Sequence, residues 1–119
     1  MNEHAEDCPF CAIIAGQERA EIYASWDDAV CFVPLRPVTP GHVLVVPREH
    51  VTDAAADPVV AALAAHRAAQ VAQQGDHVAV NVGEAAGMTV PHLHWHVWPC
   101  RGSAGCMPWG CPENGGPGG

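Results

Sequence analysis

Short segments rich in β-branched residues recur along the first hundred residues, and each predicts a strand. The first two flank the turn-like Trp26-Asp27-Asp28, an arrangement typical of a hairpin. The third is closed by Pro47, and its run of valines predicts an interior strand. The predicted strands are Ile22–Ser25, Ala29–Val33, His42–Val46, His77–Val82 and Leu93–Trp98.

One helix is predicted over residues 58–74. Asp57 is a good N-cap residue, Pro58 suits the first helical position, and Gly75 suits the position after the helix end. Strands and helix do not alternate in the βαβ pattern of a parallel sheet. The sequence therefore predicts an α+β fold with a mainly antiparallel five-stranded sheet and one principal helix.

Composition changes near Pro99. Seven of the 12 glycines lie in residues 100–119, which also contain three prolines, so a helix or central strand is not expected there. We predict a domain over residues 1–99 and a Gly/Pro/Cys-rich tail over residues 100–119 that is partly disordered.

The net charge limits the classes of partner. Among 119 residues, 13 acidic and 5 basic side chains give −8 with histidine neutral. A surface of this sign repels phosphate backbones and anionic lipids, so nucleic acid and membrane partners are not expected. No apolar run reaches the roughly 20 residues of a membrane span, and the acidic amino end does not resemble a signal peptide. A cytoplasmic location is predicted.

Three histidines alternate with apolar residues near the end of the predicted domain. Because successive side chains of a strand point to opposite faces, His92, His94 and His96 are predicted to share one face, while the apolar residues between them pack into the core. Solvent-facing histidines and a three-histidine metal site are the alternatives. The outer two Cα atoms of such a strand are roughly 13 Å apart, which disfavours one shared ion and favours different tasks for the three side chains.

Six cysteines suggest either a disulfide scaffold or metal and redox chemistry. The lack of an export signal and an adequate core argue against the scaffold. Cys8 and Cys11 stand in C-x-x-C spacing, which indicates a metal site or a redox pair in a reducing compartment. Cys31 is expected to be a small core residue, and the three cysteines of the tail have no assigned role.

The segment Pro91-His92-Leu93-His94-Trp95-His96-Val97-Trp98-Pro99 resembles the signature of the histidine-triad (HIT) family, His-φ-His-φ-His-φ-φ with φ apolar. Residues 81–90 are similar to the family's loop before the triad, and residues 40–50 to an earlier strand. The resemblance spans roughly residues 8–99. It implies a HIT-like fold and a nucleotide hydrolase or nucleotidyl transferase.

The resemblance also implies a mechanism. His94 would attack the α-phosphorus of a nucleotide phosphoramidate or dinucleoside polyphosphate, and water would then release a nucleoside monophosphate from the nucleotidyl-histidine. His96 would contact the phosphoryl oxygens or the leaving group. The alternatives are a non-catalytic nucleotide sensor or scaffold that uses the same histidines, and a zinc-dependent hydrolase with the triad as ligands.

Seven further residues are candidates for binding the nucleotide. A turn at residues 87–89 would offer N–H groups and a hydroxyl to the phosphate, and three apolar side chains would form a slot for the base. Asn81 resembles a phosphate or ribose contact of the family, with a turn residue satisfying its own backbone as the alternative. The set is Asn81, Gly87, Met88, Thr89, Phe32, Leu35 and Ile22.

Positive charge for a phosphate has to be gathered locally in so acidic a chain. His42 and Arg48 are candidates, with a solvated strand-end charge as the alternative for Arg48. Two positions also depart from the family pattern. Pro34 stands where many members have an acidic residue that holds the ribose hydroxyls, and Met88 stands where glutamine is frequent. Both departures favour the non-catalytic alternative slightly.

Some branches of the HIT family hold a structural zinc, and their ligand pattern corresponds to Cys8, Cys11, His50 and His92. Two thiolates and two imidazoles close a tetrahedral shell. A buried pair of thiols and a redox C-x-x-C are the alternatives. The resemblance further implies no organic cofactor and a homodimer formed through the helix and a sheet edge.

Overall fold

A computed structural model describes residues 7–99. Five strands form one sheet in the order β1-β2-β3-β5-β4, and every neighbouring pair is antiparallel. The predicted α+β fold, with a mainly antiparallel five-stranded sheet and one principal helix, is confirmed. The elements are α1 (Pro9–Ile14), β1 (Glu21–Ser25), β2 (Ala29–Val33), β3 (Val43–Pro47), α2 (Pro58–Val71), β4 (Asp76–Val80) and β5 (Trp95–Pro99).

The start of α2 follows the prediction, but its end does not. The Asp57 carboxylate accepts hydrogen bonds from two N–H groups of the first turn. The helix ends at Val71 rather than at residue 74, because Gln73 and Asp76 form a separate turn with two reciprocal hydrogen bonds of 2.8 and 2.9 Å. Gly75 lies inside that turn at φ +96° and not directly after the helix. Strand β4 then runs from Asp76 and ends at Val80, two residues before the predicted end.

Strand β5 begins at Trp95, so the predicted start at Leu93 is wrong. The Leu93 N–H donates to the Val51 carbonyl at 2.8 Å, which takes this residue out of the strand ladder. Only His96 of the three histidines therefore lies in a strand. The predicted division between the two sides holds, since Leu93, Trp95 and Val97 pack in apolar clusters with α2.

The sheet has two buried faces, which we name by what they carry. The helix face packs against α2 through small and branched side chains, including the fully buried Ala64 and Ala68. The histidine face carries the triad and is partly covered by α1. Its apolar members on the strands are Val30, Phe32, Leu44 and Val46, and its members on or beside α1 are Cys8, Phe10 and Cys11.

Helix α1 was absent from the sequence predictions. It has six residues, begins at Pro9, and is capped by the Cys8 sulfur, which accepts a hydrogen bond from the Cys11 N–H at 3.3 Å. Cys31 is a buried core residue on the helix face, as predicted, and burial raises the pKa of its thiol to about 12.

The described cysteines Cys8, Cys11 and Cys31 are not in disulfides. Neither helix within residues 7–99 is long and apolar enough to cross a membrane. The predicted tail over residues 100–119, with its three cysteines, lies outside the described residues.

Candidate active site and metal site

Four predicted metal ligands converge at one end of the histidine face. Cys8 and Cys11 belong to the first turn of α1, His50 follows β3, and His92 precedes β5. Their ligand atoms all lie within 4.8 Å of one another, and three of the four residues are buried. The group contains His92 but neither His94 nor His96. The structure thus agrees with different tasks for the three histidines rather than with a shared ion.

The distances between these atoms suit a tetrahedral ion. The Sγ to Nδ1 distances are 3.4 Å for Cys8–His92, 3.3 Å for Cys11–His50 and 3.6 Å for Cys11–His92. The two Nδ1 atoms of His50 and His92 are 3.1 Å apart. Zn–S bonds of about 2.3 Å and Zn–N bonds of about 2.0–2.1 Å require edges of about 3.6 Å for S to N and about 3.3 Å for N to N. These four separations are close to tetrahedral edges, so the four residues could hold a metal ion.

His92 is oriented for this task by its other ring nitrogen. Its Nε2–H donates to the Pro47 carbonyl at 3.0 Å, and the side chain is fully buried. This hydrogen bond fixes the tautomer, so Nδ1 presents a lone pair to the ligand group. A backbone carbonyl in this position is the usual outer partner of a metal-bound imidazole.

His94 follows His92 by two residues but is not one of the metal group, by which we mean Cys8, Cys11, His50 and His92. A backbone carbonyl orients its ring. Its Nδ1–H donates to the His92 carbonyl at 2.7 Å, so the lone pair of the neutral ring is on Nε2. Burial lowers the pKa of His94, while the hydrogen bond to His92 raises it, and the net direction is downward. His94 is therefore neutral near pH 7 and carries a nucleophilic nitrogen in a fixed tautomer.

His96 forms a pair with His42, a histidine at the start of β3. The Val38 N–H donates to Nδ1 of His42 at 3.0 Å, so the proton of the neutral His42 ring is on Nε2. That Nε2–H donates to Nδ1 of His96 at 3.2 Å, which leaves the proton of His96 on its own Nε2. Burial and the neighbouring His94 lower the pKa of His42 to about 4 and that of His96 to about 3.

The direct partnership between His42 and His96 was not predicted, although His42 had been considered as a source of charge. A signal was available in the side-chain alternation of β3. Leu44 pairs with His96 across the sheet. His42 stands two positions before Leu44, so its side chain points to the same face of the sheet as that of Leu44. Arg48, the other candidate, donates instead to the Trp26 carbonyl and the Ser25 hydroxyl at 2.8 Å each, and so fastens the β1–β2 turn.

The loop before the triad is closed by its own backbone. Gly87 N–H donates to the Glu84 carbonyl at 2.9 Å, and Met88 N–H to the Gly83 carbonyl at 3.2 Å. Met88 is buried and Thr89 is exposed. Two of the predicted donors, the Gly87 and Met88 N–H groups, are therefore already hydrogen-bonded, while Thr89 is an exposed residue.

Asn81 is buried beside this loop. Its Nδ2 donates to the Ala86 carbonyl at 2.7 Å, whereas its buried Oδ1 accepts no hydrogen bond within residues 7–99. The contact with Ala86 agrees with a turn-stabilising residue. The second half of the amide is a buried acceptor next to the loop before the triad.

Two of the three apolar candidates for a base slot are neighbours in the sheet, and the third lies apart from them. Phe32 is buried and pairs across strands with Ile22, which is 50% exposed. Leu35 is 98% exposed and does not line a slot with them in this conformation. Pro34 lies between Phe32 and Leu35, at the end of β2, and offers no hydrogen-bonding side chain.

Comparison with known families places this geometry in context. Residues 15–103 match the HIT domain family. An uncharacterized HIT-like protein of Mycobacterium tuberculosis is 40% identical over 103 residues, which cover 79% of this chain and 72% of that protein. The adenosine 5′-monophosphoramidase HINT3 of Danio rerio is 34% identical, over 76% of this chain and 62% of its own length. The adenylylsulfatase HINT3 of Arabidopsis thaliana is 32% identical, over 78% and 52%.

Solved structures have the same fold. A HIT family hydrolase from Clostridium thermocellum has a TM-score of 0.75 at 28% identity, covering 84% of this chain and 96% of that chain. A zinc-bound histidine triad family protein from Mycobacterium smegmatis has a TM-score of 0.68 at 36% identity, covering 82% and 77%.

Proposed function

The chain belongs to the HIT domain family, and from that premise we propose that it hydrolyses nucleotide phosphoramidates or dinucleoside polyphosphates through a covalent nucleotidyl-His94 intermediate. One observation carries the proposal. The 2.7 Å hydrogen bond from His94 Nδ1–H to the His92 carbonyl leaves a lone pair on Nε2 of a buried, neutral ring. Two HINT3 relatives are named as hydrolases of adenylyl compounds, which supports an adenosine nucleotide as substrate.

In the first step, Nε2 of His94 attacks the α-phosphorus, a P–N bond forms, and the bond to the leaving group breaks. The ring keeps its Nδ1 proton, so the intermediate carries a positive charge that the His92 carbonyl stabilises. Nε2–H of His96 donates a hydrogen bond to the phosphoryl oxygens or to the leaving group, which takes its proton from solvent, and His42 holds that tautomer. Water then attacks phosphorus, the P–N bond breaks, and the monophosphate leaves.

Asn81 and the loop before the triad would contact the nucleotide. The buried Oδ1 of Asn81 can accept a hydrogen bond from a ribose hydroxyl. The Thr89 hydroxyl and the backbone at Gly87 and Met88 would face the phosphate, and Phe32 with Ile22 would pack against the base. Leu35 can join this slot only through movement of the exposed segment after β2.

The test is release of adenosine monophosphate from adenosine 5′-phosphoramidate. The native chain is expected to turn over, and His94→Ala is expected to lose activity by about a thousandfold or more, because the nucleophile is gone. His66→Ala, an exposed histidine on α2, is the matched control and is expected to retain full activity. Rapid quenching followed by mass spectrometry should detect the nucleotidyl adduct on the native chain.

The second candidate is a non-catalytic nucleotide sensor or scaffold that uses the same histidines. The closed hydrogen bonds of Gly87 and Met88 favour it, since these N–H groups are already occupied. Adenosine monophosphate binding by the native chain, with no turnover of the phosphoramidate or of diadenosine polyphosphates, would replace the hydrolase proposal with this one.

We further propose that the metal is zinc and that its role is structural. Two sulfurs and two imidazole nitrogens at tetrahedral separations are the donor set that zinc prefers, and the zinc-bound relative from Mycobacterium smegmatis supports the choice. When bound, zinc would supply folding energy by joining α1 to the sheet. Elemental analysis of the purified chain is expected to show one zinc per chain, and its absence would contradict the assignment.

A homodimer is proposed to form through α2 and the edge strand β4. Within residues 7–99, β4 pairs with β5 alone, which leaves one side of its backbone open. Val59 on α2 is 75% exposed. Val78 on β4, which pairs with the helix-face residue Val97, is 42% exposed. Light scattering is expected to give twice the chain mass, and a monomeric mass would remove this proposal. The cytoplasmic location stays a prediction of the sequence.

A further inference from the structure

His92 connects two groups with different tasks. Its Nδ1 is one of the four predicted metal-ligand atoms. Its backbone carbonyl accepts a hydrogen bond from the Nδ1–H of His94. The His92 N–H bond to the Val90 carbonyl and the Leu93 N–H bond to the Val51 carbonyl, both 2.8 Å, hold the backbone on both sides of His92, and the Nε2–H bond to Pro47 holds its ring. A displacement of the His92 backbone would therefore move the acceptor that orients His94.

A second connection runs through α1. Phe10 lies between the two cysteine ligands in sequence, and its ring contacts the His94 ring edge-on, with centroids 5.0 Å apart. The same phenyl ring contacts His92 at 5.9 Å and Phe32 at 5.4 Å. Helix α1 has only six residues, which is too short to be stable by itself. Its place on the sheet is supported by the Cys8 and Cys11 sulfurs, by these aromatic contacts and by the packing of Ile13 and Ile14.

We propose that the metal group is a positioning device for the nucleophile: it holds His94 from one side through the His92 carbonyl and from the other through the Phe10 ring. His92 and Phe10 are then positioning residues. The catalytic importance of this device rests on the proposed function, whereas the orientation of the His94 ring does not. An ion bound by Cys8, Cys11, His50 and His92 would set the rigidity of the imidazole, in addition to any contribution to folding.

The consequence for reactivity follows from geometry. A nucleophile displaced by about 1 Å loses roughly a hundredfold in rate, so loss of the outer support of His94 affects the chemical step rather than nucleotide affinity. A role limited to fold stability predicts instead a smaller population of native molecules, with His94 unchanged in each of them.

The test observes the His94 ring directly by nuclear magnetic resonance of the full chain labelled with ¹⁵N-histidine. In the zinc-loaded chain, His94 is expected to show one tautomer with its Nδ1 proton protected from exchange. After chelation, at a temperature where circular dichroism shows the fold retained, exchange of that proton is expected to accelerate by about tenfold or more. His66 on α2 serves as the internal reference.

A variant separates the second connection from metal binding. In zinc-loaded Phe10→Ala, zinc content should stay at one per chain while exchange of the His94 Nδ1 proton accelerates and kcat falls by about tenfold with KM little changed. Ile14→Ala is the matched control, because Ile14 lies on the same helix and packs against the same apolar cluster. It should leave the His94 resonance unchanged.

The outcomes are separable. An unchanged His94 Nδ1 proton both in the folded, zinc-depleted chain and in Phe10→Ala overturns the proposal. If chelation unfolds the chain, the zinc-loaded Phe10→Ala variant decides alone, and an unchanged resonance there overturns it. If the resonance responds to zinc while no nucleotide is hydrolysed, positioning stands and the proposed hydrolase falls.

Discussion

The two faces of the sheet are both buried, but different interactions hold them. The buried residues of the helix face, on or beside the strands and on α2, are alanine, valine, leucine and one cysteine. The histidine face buries four imidazoles, each less than a tenth exposed: His42, His92, His94 and His96. Burying a polar ring is costly unless its nitrogens have partners, and carbonyls, an amide and other imidazoles provide a partner for at least one nitrogen of each ring.

This difference implies different sensitivities. Stability from the helix face depends on shape and apolar area, which are insensitive to pH and to metal. Stability from the histidine face depends on protonation states and on a ligand group in which two sulfurs and two nitrogens lie close together. Acid or removal of the metal should therefore loosen the histidine face while the helix face stays intact.

The largest effect on stability is expected from breaking the metal group. Cys11→Ser should abolish stoichiometric zinc binding and lower the free energy of unfolding by at least about 3 kcal/mol, because α1 loses its attachment to the sheet. Urea denaturation with elemental analysis measures both. Cys31→Ala on the helix face is the matched control and should keep zinc while costing about 1 kcal/mol. Equal losses for the two variants would contradict the distinction between the faces.

A cavity on the helix face should lower the free energy of unfolding without changing the metal site on the other face. Val45 is fully buried on β3 against the α2 side, so Val45→Ala should cost about 2 kcal/mol while zinc content stays unchanged. Leu35→Ala, at a position 98% exposed, should cost under about 0.5 kcal/mol. Zinc loss in Val45→Ala would show that the two faces are not independent.

Acid should act through the histidine face. Burial lowers the pKa of His42 to about 4 and that of His96 to about 3, against about 6.5 in the unfolded chain. Below pH 6.5 the unfolded chain takes up protons that the folded chain does not, so the free energy of unfolding should decrease as pH falls from 6.5 toward 4. Urea titrations at pH 7.5, 5.5 and 4.5 check this. Val45→Ala should shift the whole profile down in parallel, and a flat native profile would count against the buried neutral pair.

The smallest effect is expected at the rim of the helix face. The Arg67 guanidinium donates to the Asp28 carboxylate at 2.9 Å and lies over the Trp26 ring at 5.3 Å, joining α2 to the β1–β2 turn. The hydrogen bond to Arg67 lowers the pKa of Asp28. Because the pair is partly exposed, Arg67→Ala should cost about 0.5–1 kcal/mol, less at high salt. A loss above about 2 kcal/mol in thermal denaturation would contradict this ranking.

The sequence predicted the helix face better than the histidine face. Runs such as Ala29–Val33 and Val43–Pro47 have the composition of interior strands, and Asp57 with Pro58 marks the start of α2. These signals are local. The end of α2 was missed because the turn between Gln73 and Asp76 is made by a side chain that periodicity does not reveal.

On the histidine face, the sequence predicts which residues form the site but not which of their atoms are in contact. The ligands Cys8, Cys11, His50 and His92 were placed through family resemblance, since they are separated by up to 84 positions and no local pattern joins them. Helix α1 was missed because six residues carry too short a periodicity. The tautomers of His42, His94 and His96 depend on backbone carbonyls and amides that sequence does not position.

The strand order has a consequence for synthesis. Within residues 7–99, β5 is the last strand along the chain, yet it lies between β3 and β4 and pairs with both. A ribosome-bound chain that has not yet released residues 92–99 can form the local hairpins of β1, β2 and β3 but has an open gap beside β3. Those same residues carry the triad. The junction of β3 with β4 through β5 and the histidine triad are therefore assembled in a single late event, and a truncated product has neither.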